Sequence, residues 1–114
     1  MSMLYSAQAG KIRLVRRLVA RLKDKVAIVT GAGSIGPGWG NGKAVAVLFA
    51  REGAQVIAVD RNVGAAEETA KIILGEGGYC AVSEVDVTDA DSVAAMTKTV
   101  LDLHGRVDIL HNNV

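Results

Sequence analysis

Val26-Ala27-Ile28-Val29-Thr30-Gly31-Ala32-Gly33 leads through Ser34-Ile35-Gly36-Pro37-Gly38-Trp39-Gly40-Asn41-Gly42-Lys43 into Ala44-Val45-Ala46-Val47-Leu48-Phe49-Ala50. A short apolar run closed by glycine marks a strand buried on both faces. The run after Gly42 has helical spacing and predicts a helix from Gly42 to Glu52, with Val45, Leu48 and Phe49 inward and Gly53 as its left-handed stop. Between them lies a glycine-rich turn. Glycine permits positive φ and lets the backbone approach a pyrophosphate, whose charge the next helix N-terminus favours.

Outward from that turn the same alternation continues. Gln55 to Val59 is the next strand, ended by Asp60, and Asn62 caps a helix running to about Leu74. Tyr79 to Val85 is the third strand. Thr88-x-x-Asp91 reads as a capping box for a helix carrying Val93, Met96, Val100 and Leu103 and ending at Gly105. Arg106 to Leu110 is the fourth strand. Strand and helix in strict alternation imply an α/β fold, a Rossmann-like doubly wound parallel sheet with right-handed crossovers, cut after about four strands. Residues 24–114 form this unit.

A literal G-x-G-x-x-G falls on Gly31, Gly33 and Gly36, but Pro37-Gly38-Trp39-Gly40 is a poor helix start. Gly42 touches the helix-forming run, which assigns the cradle to Gly31, Gly40 and Gly42, with Ser34 and Asn41 beside it. A P-loop is excluded, because Pro37 stands five before Gly42 and Ala44 replaces the magnesium-binding Ser/Thr. Asp60, at the end of the second strand, can accept both hydroxyls of an adenosine ribose and repel a 2′-phosphate. NAD is therefore expected over NADP, although Arg61 could face such a phosphate. Asp86 and Val87, after the third strand, are candidates for the adenine edge, while Thr88 and Asp91 are explained by capping.

Half of the 114 residues are apolar and 4% are aromatic, the balance expected where helices pack closely on a parallel sheet. Residues 1–23 carry six basic side chains (Lys11, Arg13, Arg16, Arg17, Arg21, Lys23) and no acid, so the body is net acidic. An acidic body argues against nucleic acid as a partner. Residues 11–23 have amphipathic helical spacing, which fits a mitochondrial presequence, an anionic-surface helix or an overlong start. The expected location is the cytoplasm, or the mitochondrion if the leader is a presequence. No apolar run approaches a membrane span. Cys80, the single cysteine, offers no disulfide or zinc framework and is expected to be a small core residue.

Taken together, the T-G-x-x-x-G-x-G loop, the strand-end Asp60, the D-V-T-D phrase at Asp86 and D-I-L-x-N-N at Asp108 resemble the short-chain dehydrogenase/reductase family over residues 25–114. The resemblance implies an NAD(P)-dependent oxidoreductase acting on an alcohol or ketone by hydride transfer, homo-oligomeric when complete. It also implies pyrophosphate binding by the loop glycines, NAD selection by Asp60, adenine contact by Asp86 and Val87, and a place beside the cofactor for Asn112, which ties neighbouring strands. The loop is longer than the family's common form, with Ile35-Gly36-Pro37-Gly38-Trp39 as the extra segment, and Val114 stands where alanine is usual. His111 is read as a packing residue.

Family catalysis rests on a Tyr-x-x-x-Lys pair and a serine. Ala9 stands four residues after Tyr5 and Ser83 four after Tyr79, so neither tyrosine fits. No catalytic residue is assigned, and the chain is expected to be the cofactor-binding part of a longer enzyme. A non-catalytic nucleotide-binding module is the alternative. An enoyl-reductase relative is another, which shares lengthened glycine loops but not Asn112-Asn113.

Overall fold

Residues Val26–Thr30 are buried without exception and form β1, the second strand from one edge of a four-stranded parallel sheet. The computed structural model describes residues 21–33 and 40–113. Most of the basic leader, Ser34, the extra segment 35–39 and Val114 lie outside the described residues. The described end of the leader, 21–24, is bend and turn. Leu22 packs on the core there, and its amide donates to the Glu52 carbonyl at 2.9 Å.

The chain continues as α1 (Asn41–Arg51), β2 (Gln55–Asp60), α2 (Val63–Gly75), β3 (Tyr79–Glu84), α3 (Ala90–His104) and β4 (Ile109–Asn112). The sheet order is β3-β2-β1-β4, all parallel. This is the α/β Rossmann-like arrangement the sequence predicts.

Strand periodicity of two divides the core. Ala27, Val29, Val56 and Ala58 meet Ala46, Val47, Ala66 and Ile73 of α1 and α2 on one face. Val26, Ile28, Ile57 and Val59 meet Met96 and Val100 of α3, with Val85, on the other. Small residues let α1 and α2 pack close to the first face. Among the described helices only α3 covers the second, and Leu110 of β4 is 63% exposed. Cys80 packs against the first cluster, where burial pushes its thiol up to about 11. It is therefore a protonated, unreactive side chain at neutral pH.

Four local expectations are corrected. In α1 the buried positions are Gly42, Lys43, Ala46 and Val47; Val45 and Phe49 pack on the core half-buried, as expected, but Leu48 points outward. Contact between Gly42 and Gly31 fixes the rotation of that helix. The N-cap of α3 is Asp89, whose carboxylate accepts from the amides of Asp91 and Ser92, while the Thr88 hydroxyl donates to Asp86 Oδ1 at 2.6 Å. Leu103 shares the helical face of Met96 and Val100 but sits in the last turn of α3 and is 75% exposed. Finally, β4 begins at Ile109, since Asp108 makes the first contacts to β1: its amide donates to the Val26 carbonyl, and its Oδ2 accepts from the Val26 amide, both at 2.9 Å.

Candidate functional site

All four strands end on the same side, and the turn after β1 is built where those ends meet. Gly31 adopts φ +61°, open to glycine at little cost. A side chain on Gly42 would overlap the Gly31 carbonyl, and one on Gly31 would overlap the carbonyl of Asn113. The two glycines thus form a backbone-to-backbone seam between the end of β1 and the first turn of α1. Gly40 is the N-cap and Asn41 the first helical residue, and both are exposed. Gly40 has no side chain with which to cap this helix, and the first turn holds no acid.

Gly33 is also required to be glycine, for a reason the motif register passes over. A side chain there would strike the Cβ and backbone of Ala65 in α2. The Ala32 amide donates to the Val59 carbonyl at 3.1 Å, so the turn crosses the end of β2. There the Gly33 amide donates to Asp60 Oδ2 at 2.9 Å, and the Asn62 amide donates to Asp60 Oδ1 at 2.9 Å. A carboxylate has about four acceptor positions, so two remain for a ligand's hydroxyls.

On the other flank, Asn112 and Asn113 join the end of β4 to the turn. Thr30 Oγ1 donates to Asn112 Oδ1 at 2.8 Å and accepts from the Asn113 amide at 2.9 Å. Asn113 Nδ2 donates to the Gly31 carbonyl at 3.4 Å. The cross-strand tie expected of Asn112 is shared with Thr30 and Asn113, which the sequence reading did not single out. Two adjacent amides after a strand, opposite a threonine closing its neighbour, were the available signal. His111 stacks edge-on to Phe49, with ring centroids 6.3 Å apart, as a packing residue does.

Asp86 and Val87 lie one strand further out, beyond β3, whose end is joined to β2 by the Val85 amide donating to the Asp60 carbonyl at 3.3 Å. The Thr88 hydroxyl and amide, then the nearby Arg61 charge, hold the Asp86 carboxyl below its ordinary range. Gly31, Gly42, Asp60 and Asn112 are thus linked through a few hydrogen bonds and contacts, whereas Asp86 and Val87 stand at the rim. Among the described residues no cluster of His, Cys, Asp and Glu is arranged for a metal, and no helix is long and apolar enough to cross a membrane.

The family model for short chain dehydrogenases matches residues 25–114. The chain belongs to that family. Relatives include the uncharacterized oxidoreductase YxbG of Bacillus subtilis, 41% identical over 83% of this chain and 33% of its own length. D-threitol dehydrogenase of Mycolicibacterium smegmatis is 43% identical over 82% of this chain and 34% of its own. The chain spans about a third of the length of these curated relatives. Among solved structures, a short-chain dehydrogenase/reductase from Burkholderia xenovorans superposes with a TM-score of 0.80 at 53% identity, covering 82% of this chain and 37% of that one. A 7α-hydroxysteroid dehydrogenase complexed with NADH and a 7-oxo bile acid gives 0.73 at 36% identity, covering 81% and 34%. A metagenomic family member in complex with NADP gives 0.72 at 34%, covering 78% and 38%.

Proposed function

We propose that this chain is the cofactor-binding part of an oxidoreductase that uses NAD in preference to NADP and interconverts an alcohol and a ketone. The observation that carries the cofactor choice is Asp60, a carboxylate held by two backbone amides beside the glycine seam. Its remaining acceptor positions suit the two ribose hydroxyls, and its charge opposes a 2′-phosphate.

The seam suits a dinucleotide on physical grounds. Backbone at Gly31 and Gly42 leaves no room for a side chain, and the start of α1, with glycine at its N-cap and no acid in its first turn, would present its positive dipole end to a pyrophosphate. Gly31, Gly40, Asn41 and Gly42, with Ser34, would hold the phosphates, Asp60 the ribose, and Asp86 and Val87 the adenine edge. Asn112 would lie beside the cofactor while bracing β4 against β1.

Bound nicotinamide supplies hydride exchange with the substrate carbon. The chain's own residues bind and orient; neither tyrosine has a lysine four residues on, so neither takes the family's proton-exchanging role. The alcohol/ketone class rests on relatives named for threitol, 7α-hydroxysteroid and 3-oxoacyl substrates. Homo-oligomerisation of the whole protein belongs to the same proposal.

Calorimetric titration of the full chain with NAD and NADP tests the cofactor choice. NAD should bind more tightly, by about tenfold or more for one unfavourable charge contact, and Asp60→Ala should erase the difference. Equal or tighter binding of NADP, or an unchanged preference in Asp60→Ala, would overturn it.

A further inference from the structure

Thr69 is a polar residue with no exposure at all, on the inner side of α2 beside Ala66, Ala70 and Ile73. Its hydroxyl has one proton and two acceptors within reach: the Ala32 carbonyl at 2.8 Å and the Ala65 carbonyl of its own helix at 3.4 Å. The shorter contact is the stronger, so the proton goes to Ala32.

That carbonyl belongs to the Ala32–Gly33 peptide unit, and the other end of the same unit is the Gly33 N–H that donates to Asp60 Oδ2. A peptide plane is rigid, so its C=O and N–H rotate together. Thr69 therefore holds one end of a lever whose other end holds the Asp60 carboxylate. The Ala32 amide on Val59 fixes the residue just before it, and Ala65 closes the space beside Gly33.

We propose that Thr69 is a positioning residue for nucleotide selection, acting through the Ala32–Gly33 peptide on Asp60. The proposal rests on the reading that Asp60 receives the ribose. Valine has nearly the shape of threonine and would fill the same space, but it has no proton to give. The buried Ala32 carbonyl would lose its partner, the peptide would be free to turn, and the carboxylate would lose a fixed donor. Serine keeps the hydroxyl and should keep the lever.

The test compares the full chain with Thr69→Val and Thr69→Ser by two measurements. One is hydrogen exchange at the Gly33 amide, read by mass spectrometry of short overlapping peptides. The other is the ratio of NADP to NAD dissociation constants. Thr69→Val should speed Gly33 exchange by about tenfold and shrink the ratio by about tenfold, each the size of one lost buried hydrogen bond. Thr69→Ser should stay near the parent in both. A role in packing alone would leave the ratio untouched, so a Thr69→Val chain with the parent ratio overturns the proposal. So does a Thr69→Ser chain that behaves like Thr69→Val. If Thr69→Val does not fold, Thr69→Ala is read in its place, with the same two outcomes deciding. A parent chain that binds both nucleotides equally overturns the cofactor reading instead, before any substitution is made.

Discussion

The first and third helices both start at the strand-end side of the sheet, yet their N-termini are built in opposite ways. At α3 the Asp89 carboxylate accepts from the amides of Asp91 and Ser92, and Asp91 adds a negative charge to the first turn. At α1 the cap is Gly40, with no side-chain acceptor and no acid in the first turn. Four N–H groups begin every helix without an intrahelical partner. One terminus supplies a carboxylate cap of its own, and the other has a glycine cap and no acidic side chain in its first turn. Glycine at an N-cap costs only a few tenths of a kcal/mol against a good capping residue. A glycine-capped N-terminus is thus tolerated at little expense in stability, and an anion approaching it meets no carboxylate from the cap or the first turn.

Gly42→Val gives the strongest means of breaking this contrast. Its side chain would overlap the Gly31 carbonyl, so nucleotide binding in calorimetric titration should fall below detection. Retained binding would mean that the cradle lies elsewhere than the start of α1. Asp89→Ala sharpens the contrast from the other side. It should lower unfolding stability by about 1 kcal/mol in a urea titration while leaving NAD affinity unchanged. Loss of affinity would show that both helix starts serve the ligand.

The smallest expected effect concerns Asp86, whose carboxyl is held below 3.8, chiefly by the Thr88 hydroxyl. Because its folded value is depressed, the stability it contributes is present above the unfolded value. That contribution is lost as pH falls through the folded one. Asp86→Asn should therefore narrow the stability difference between neutral pH and the acid region below 3.8, followed by denaturation midpoints. A steeper acid dependence in the variant would contradict the sign.

Local signals explain what could be read from the sequence. The β1 run, the glycine at each helix stop, the Asn62 cap and Asp60 at the end of β2 are each decided by a few adjacent residues, and their placement follows. The rotation of α1 was less legible, because it depends on Gly42 meeting the Gly31 carbonyl across the turn. Capping of α3 was ambiguous between neighbours: Thr88 and Asp89 are both capping types, and the Asp89 carboxylate is the one that meets the amides of Asp91 and Ser92. The start of β4 is set by Asp108 pairing with Val26, residues 82 apart in the chain. At the site, Asp60 and the glycines were visible as types at fixed offsets. Gly33 and Thr69 owe their roles to contacts with Ala65 and Ala32, which no spacing rule encodes.

The long separation between β1 and β4 has a kinetic consequence. Val26 pairs with Gln55 and Gln55 with Tyr79 through successive βαβ units, so β1, β2 and β3 can zip together by nearby closures. Strand β4 must return across nearly the whole described chain to reach β1. Contacts of high sequence separation form slowly, which places the docking of β4 after that of β2 and β3 among the described strands. With it come the Asn112 bond to Thr30 and the Asn113 contact with the Gly31 carbonyl. The glycine turn is therefore completed only when β4 docks, and a nucleotide that binds only the completed turn would stabilise that step by mass action.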